Sequence, residues 1–217
     1  MAFPTTSLVN NQVHKEGNRA WVYDAPAGVW DQVTEVDTPP NHLHAGVTFP
    51  AGHVLQVKST TLRNVFSVAG EAFVSIGGLT AAIIPTSTSS KVLIMITIGR
   101  ASANPARGST VAFRIERLAG SSMQDIGVGK QTAGSQLEAS FVIKCDSNTN
   151  YSPGGFSTSF LDSPATNQLR TYGLAMVAEG ATNASIAVIN RSYLGSTGAD
   201  IYNAISQSTI TVMEIAG

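Results

Sequence analysis

The run of residues 91–99 (KVLIMITIG) constrains the fold more than any other stretch of the chain. Its apolar, mostly branched side chains do not alternate with polar ones, as they would in a strand with one face in water. A helix of this composition would be short and poorly supported by the propensities of its β-branched residues. We therefore predict a strand that is buried on both faces and ends at Gly99, either inside a β-sandwich or beneath a subunit contact.

Short apolar runs separated by turn residues fill the chain from residue 45 onward. They lie at 54–57, 65–68, 72–76, 81–84, 110–117, 139–143, 172–177, 184–189 and 209–215. Such spacing is typical of an antiparallel β-sandwich or jelly roll, and no window has helical spacing over more than two turns. We predict an all-β chain whose last run lies in the middle of a sheet, with Ile210 and Val212 on one face.

Residues 1–44 differ from the rest, because they contain both tryptophans, four prolines and three of the four histidines. Two alternating runs flank the turn at 25–28 (APAG) and predict a β-hairpin with Trp21, Tyr23 and Trp30 on one apolar face. Two strands alone are marginal in water, so this hairpin is expected to lie against another surface. The pair Pro39-Pro40 predicts an extended linker. We therefore divide the chain into an N-terminal attachment arm, 1–44, and a head domain, 45–217.

Charged residues make up only 12% of the chain, with 13 basic and 14 acidic side chains. This is roughly half the usual fraction, and a monomer with so little charge is poorly protected against association. We therefore expect a subunit that covers part of its surface with copies of itself. The near-neutral balance argues against a nucleic-acid partner, and no run reaches the ~18 apolar residues of a membrane-spanning helix. With neither a basic nor a hydrophobic segment at the start, we expect folding and assembly in a cytoplasm.

The histidines and the single cysteine offer little metal chemistry. Cys145 is the only cysteine, so neither an intrachain disulfide nor a thiolate cluster can form. His42 and His44 would point the same way on a strand, and if copies of the chain formed a trimer, three such pairs around its axis would suit an octahedral metal. The alternative, which we favour, is two exposed histidines after the proline pair. We expect no cofactor.

No pattern in the chain predicts an active site. Asp162 lies in FLDSP (160–164), which favours a turn, and no paired carboxylate or Ser/His arrangement accompanies it in sequence. Recognition is expected instead in three polar loops, 100–109, 148–157 and 193–203, since loops on a rigid scaffold often bind partners. The aromatic and amide residues of these loops are Asn148, Asn150, Tyr151, Tyr193 and Tyr202. The alternative is that the loops are turns facing solvent or other subunits.

Several segments together resemble a C-terminal domain found in tailed-phage fibre proteins. They are 47–57 (VTFPAGHVLQV), 84–94 (IPTSTSSKVLI), 159–166 (SFLDSPAT), 189–192 (INRS) and 208–215 (STITVMEI). The stretch 17–30 (GNRAWVYDAPAGVW) is similar to short tryptophan hairpins in the same kind of protein. The resemblance implies a trimeric head, similar in kind to the tumour-necrosis-factor and complement C1q jelly rolls. We expect Leu93, Met95, Ile210 and Val212 in the core of that trimer.

The resemblance also implies a non-enzymatic structural protein of a tailed-phage virion. As a tail-fibre-like appendage, the homotrimer would dock onto another virion protein through residues 1–44. Its head would then contact a glycan or protein of the host surface. No shaft separates the hairpin from the head, so the alternative is a trimeric capsid decoration protein that cements the head shell. Copy number in the particle distinguishes these two roles.

Overall fold

The computed structural model describes residues 8–9, 11–16, 19–33, 49–104, 110–132, 134–145, 154–178, 186–193 and 204–217. The chain divides into two compact units, residues 1–48 and 49–217, and the predicted boundary after residue 44 lies outside the described residues. Every regular element in the described ranges is a β-strand, which confirms the predicted all-β class. Within these ranges, no helix is long and apolar enough to span a membrane.

The N-terminal unit contains a three-stranded antiparallel sheet. Its strands, in spatial order, are β1 (Val13–Glu16), β2 (Arg19–Asp24) and β3 (Val29–Val33). Between β2 and β3, the amide of Gly28 donates to the carbonyl of Asp24 at 2.7 Å, and Gly28 has a φ of 69° that glycine adopts without strain. The predicted hairpin is therefore confirmed. β1 was not predicted, because its four residues (VHKE) include a single apolar side chain.

The C-terminal unit is a sandwich of two six-stranded sheets. The front sheet consists of β4 (Val54–Leu62), β5 (Phe66–Ala69), β8 (Lys91–Ala103), β12 (Gly154–Asp162), β14 (Ile186–Ile189) and β15 (Ser208–Ile215). The back sheet consists of β6 (Val74–Ser75), β7 (Ala81–Ile83), β9 (Thr110–Ala119), β10 (Ser122–Ile126), β11 (Phe141–Lys144) and β13 (Arg170–Ala178). Every pairing is antiparallel, so the predicted sandwich is confirmed.

The last strand lies inside the front sheet, as predicted. β15 pairs with β4 on one side and with β8 on the other, and β8 also pairs with β12. Side chains of β15 alternate between buried and half-buried positions, which places Ile210 and Val212 on the inner face. They join one hydrophobic cluster that contains Phe113 and Leu174 of the back sheet. Burial of these inner faces provides the main driving force for folding.

Residues 91–99 form a strand, as predicted, and in a single chain one face of it is buried: Val92 and Ile94 have no exposed surface, whereas Met95, on the other face, is 44% exposed. Burial of that second face beneath a subunit contact stays a prediction. The predicted end was wrong, because the strand continues past Gly99 to Ala103. Glycine is required there by a close approach, because a Cβ atom on Gly99 would collide with the carbonyl oxygen of Gln207.

Strands β10 and β12 were not predicted. β12 covers 154–162, where a polar loop and a turn at 160–164 were expected, and Asp162 is its last residue. Phe156 and Phe160 pack against the core on one face of the strand, and Ser157 and Ser159, which lie between them in sequence, are exposed on the other face. The two-residue period was therefore present in the sequence, carried by small hydroxyl residues.

Candidate interaction surfaces

Four apolar side chains lie in one line across the outer side of the front sheet. Val57 of β4 is paired with Met213 of β15, Met213 with Leu93 of β8, and Leu93 with Leu161 of β12. We call these four residues the apolar row. Its two ends, Val57 and Leu161, are 50% and 48% exposed. The fold thus presents a continuous apolar line to the outside of the chain.

Hydroxyl side chains lie on one side of the apolar row and bond to one another across strands. Ser59 Oγ and Thr211 Oγ1 are 2.8 Å apart, and Thr97 Oγ1 and Ser157 Oγ are 3.0 Å apart. Exposed Met95 lies directly opposite Thr211, between these two pairs. Because each hydroxyl in the two pairs has a protein partner, removing water from this surface costs less than it would for unpaired hydroxyls.

The outer side of four neighbouring strands of the front sheet, β4, β15, β8 and β12, is nearly free of charge. We define the front face as the outward residues of these four strands. They are Val57, Ser59, Thr61, Lys91, Leu93, Met95, Thr97, Ser157, Ser159, Leu161, Thr209, Thr211, Met213 and Ile215. Lys91 is the one ionisable side chain in this set. The outward face of an antiparallel sheet in water normally carries many polar and charged residues, so this composition is typical of a covered surface.

The residues predicted for the trimer core lie on two opposite sides of the front sheet. Leu93 and Met95 belong to the front face. Ile210 and Val212 have no exposed surface within a single chain, so their side chains lie in the core of the chain itself. Leu93 and Met95 are therefore the two predicted residues that remain available to another subunit.

The outer side of the back sheet is partly covered by the chain itself. The guanidinium carbon of Arg114 lies 3.9 Å from the ring centroid of Phe73, and Ser75 Oγ donates to Glu116 at 2.7 Å. Gly173 packs close to Thr80, whose Cγ2 would lie 3.2 Å from an added Cβ atom. Phe73 and Thr80, which flank β6 in the chain, thus cover Arg114 and Gly173, whereas Met123 and Val142 on the same outer side are 49% and 53% exposed.

In the N-terminal sheet, the three predicted aromatic residues share one face. The ring centroids of Tyr23 and Trp30 are 5.3 Å apart, and the His14 ring lies 6.0 Å from both Trp21 and Trp30. Trp21 is 6% exposed, whereas Tyr23 and Trp30 are half-buried. The contribution of His14 was not predicted, because β1 itself was not. Tryptophan and tyrosine are enriched in protein interfaces, so this aromatic face is a candidate docking surface.

Most other predicted site residues lie outside the described residues. These are His42, His44, Asn148, Asn150, Tyr151 and Tyr202. Tyr193 is described and half-buried. Two ends of the predicted loops are strands instead: residues 100–103 belong to β8 and residues 154–157 to β12. In the described ranges, no group of three or more His, Cys, Asp or Glu side chains is arranged to hold a metal ion.

Asp162 takes part in a buried polar bridge between the two sheets. Arg117 Nη1 donates to both carboxylate oxygens of Asp162, and the Tyr172 hydroxyl donates to Oδ2 at 2.8 Å. Burial, together with the hydrogen bond to Asp162, raises the pKa of the Tyr172 hydroxyl far above its usual value. The Tyr172 hydroxyl thereby keeps its proton and donates it to Asp162, which suits a structural bridge rather than proton transfer.

Glu214 is a fully buried carboxylate held by neutral donors. Its oxygens accept hydrogen bonds from Gln56 Nε2 at 2.6 Å, Thr86 N at 2.6 Å and Thr86 Oγ1 at 2.7 Å. Burial by itself raises the pKa of this carboxyl, but the hydrogen bonds outweigh it and the pKa lies below its ordinary value. The carboxylate thus ties β15 to β4 and to the segment that precedes β8.

Comparisons with known proteins leave the chain without an assigned family. No protein-family model matches it, and no curated protein matches it. One similar solved structure is described as the structure of infectious bursal disease virus Gt strain. It shares 10% sequence identity with a TM-score of 0.33, and the match covers 100% of this chain. This chain spans about half, 47%, of the chain that it matches there.

Proposed function

We propose that this chain is a non-enzymatic structural protein of a tailed-phage virion, which forms a homotrimeric, tail-fibre-like appendage. The observation that carries the proposal is the front face, where one lysine accompanies an apolar row and paired hydroxyls. Virion proteins function in assemblies, in which such faces are covered. The resemblance of the segments around β4, β8 and β15 to fibre head domains supports the same role.

The aromatic face of the N-terminal sheet is the proposed site of attachment to another virion protein. The rings of Tyr23 and Trp30 pack together on one side of a sheet of three short strands, and both side chains remain partly exposed. Aromatic side chains supply much of the binding energy of protein interfaces at low entropic cost. The head, at the other end of the chain, would contact a glycan or protein of the host surface.

A capsid decoration protein is the second candidate. Only residues 34–48 separate the end of β3 from the start of the C-terminal unit at Phe49. A fibre that reaches a distant receptor normally needs a long repetitive shaft, whereas a compact trimer with a short arm suits a shell surface. The same front face and aromatic face would serve either role.

The hydrogen bonding of two of the buried carboxylates, Asp162 and Glu214, supports a non-enzymatic role. Asp162 is saturated by Arg117 and Tyr172, and Glu214 by Gln56 and Thr86. A general acid or base must reach a substrate proton, which these carboxylates do not while their hydrogen bonds hold. Turnover of host polysaccharide by the purified protein would contradict this part of the proposal.

The proposal is tested by locating the chain in purified phage particles with antibody labelling and measuring its copy number. A few trimers at the tail support the appendage, a number matching the shell lattice supports the decoration protein, and absence from particles contradicts both. Attachment is tested with Trp30→Ala, which we expect to abolish incorporation. Asp31→Ala, the next residue along β3 and on the opposite face, serves as its control and should incorporate normally.

A further inference from the structure

We propose that the front face is the surface through which copies of this chain associate, so that its occupant is a second copy. This inference deepens the proposed structural role by naming the surface and the residues that form it. It starts from the contrast between the two sheets. Both sheets expose apolar side chains, since Met123 and Val142 on the outer side of the back sheet are 49% and 53% exposed. The back sheet, however, also carries the Arg114–Asp125 ion pair on that side, whereas the front face carries Lys91 alone.

The charge of the front face selects the kind of partner that fits it. Lys91 is its single ionisable group, so a partner with a charged surface would leave its own charges unpaired at the contact. A second copy presents the same surface with Lys91 as its one charge, and so largely avoids that cost. The chain as a whole has a net charge of −1, so copies also approach one another without strong long-range repulsion.

The hydrogen bonding of the front face allows a dry contact. The hydroxyls of the Ser59–Thr211 and Thr97–Ser157 pairs hydrogen-bond to each other within one chain, so a partner does not need to supply a donor or an acceptor for them. An apolar surface is then enough to cover this region. The front face of a second copy is such a surface.

The apolar row favours symmetric copies in particular. It runs across four adjacent strands, which at a strand spacing of ~4.8 Å places its ends roughly 14 Å apart. If the copies are related by a rotation axis parallel to the strands, their apolar rows lie at the same position along that axis. Leu93 and Met213 of each copy then face the apolar row of the next copy. Three copies around such an axis would close the rows into one apolar layer.

The experiment compares two triple variants of the full chain that are matched in residue type and exposure. The front-face variant is Val57→Lys, Met95→Lys, Leu161→Lys. The control is Val142→Lys, Met123→Lys, Leu169→Lys, whose positions are 53%, 49% and 54% exposed and lie outside the front face. Sedimentation velocity at micromolar concentration gives the mass of each protein, and circular dichroism checks that the β content is unchanged.

We expect the unmodified chain and the control to sediment as trimers and the front-face variant to sediment as single chains. A front-face variant that keeps the trimer mass overturns the inference but leaves the virion role in place, since particle labelling tests that role separately. Loss of association in both triple variants also overturns it, because the effect would then be non-specific. If the front-face variant fails to fold, the milder pair Met95→Thr and Met123→Thr is compared in the same way.

A different occupant would give a distinct result. If the unmodified chain sediments as a single chain, while only the front-face variant fails to enter particles, the face binds another virion protein. That outcome contradicts a second copy as the occupant and supports the virion role.

Discussion

Arg117 and Asp162 join the two sheets of the sandwich, with Arg117 Nη1 lying 2.8 and 2.7 Å from the two carboxylate oxygens of Asp162. Arg117 belongs to β9 in the back sheet, and Asp162 ends β12 in the front sheet. Their side chains are 18% and 9% exposed. Removing one partner of a buried pair leaves the other charge uncompensated, so the bridge matters more to stability than a surface pair does.

Asp162→Asn is therefore expected to lower the free energy of unfolding by about 3 kcal/mol. The matched control is Asp125→Asn, which breaks the Arg114–Asp125 ion pair at 2.9 Å, where the side chains are 23% and 38% exposed. Exposed pairs contribute less than about 1 kcal/mol. Urea unfolding of both variants measures the difference, and equal losses would contradict the structural role of the bridge.

Asn190 is expected to be hard to replace, because its backbone and its side chain are both constrained. It has a φ of 69° and no exposed surface, and its amide donates to the carbonyls of Leu62 and Asn64 while accepting from Ser208 Oγ. Asn190→Ala should cost about 3–5 kcal/mol, through lost buried hydrogen bonds and a strained φ. Asn190→Gly loses the same hydrogen bonds but adopts this φ without strain, so it should be about 1 kcal/mol more stable than Asn190→Ala. Thermal unfolding of both variants measures the two parts.

Glu214 should make the fold sensitive to acid. Because its pKa in the folded chain lies below the ordinary value of about 4.3, its stabilisation is complete above that pH and is lost as pH falls through the folded pKa. Glu214→Gln should therefore reduce stability at pH 7 and flatten the decline in stability at acid pH. Urea unfolding at pH 7 and at pH 3 measures both effects. Parallel pH profiles for the two proteins would show that Glu214 does not contribute.

Cys145 is expected to be unreactive in the folded protein. It is 3% exposed, its thiol lies 3.4 Å from the carbonyl oxygen of Ala101, and burial raises its pKa. The thiolate is the reactive form, so a thiol reagent at pH 7.5 should label the chain only after unfolding. Labelling in native buffer at the rate seen in urea would contradict the burial of this side chain.

The direction of the side chains could be predicted from sequence where one face is apolar and the other is mostly polar, as in β9. For residues 91–99 the strand was predicted but the outward face was not, because the outward side chains Leu93 and Met95 are as apolar as the inward ones. The apolar run at 91–99 indicated that this strand has a second apolar face, but not which of its side chains form that face. β12 was missed because small hydroxyl residues and Gly154 carry little strand propensity.

The candidate surfaces differed in how far they could be predicted. The aromatic face of the hairpin follows from local register, since Tyr23 and Trp30 are directly opposite across one turn. The apolar row depends on the pairing of strands that are distant in sequence, such as Val57 with Met213, and periodicity does not give that pairing. The bridge between Arg117 and Asp162 is of the same long-range kind.

The most direct measurement of the central claim is sedimentation equilibrium of the unmodified full chain over a range of dilute concentrations. The account predicts three times the mass of one chain at neutral pH and moderate salt, since the front face contains too little charge for salt to weaken the contact. A folded, β-rich protein with the mass of one chain at every concentration would contradict it.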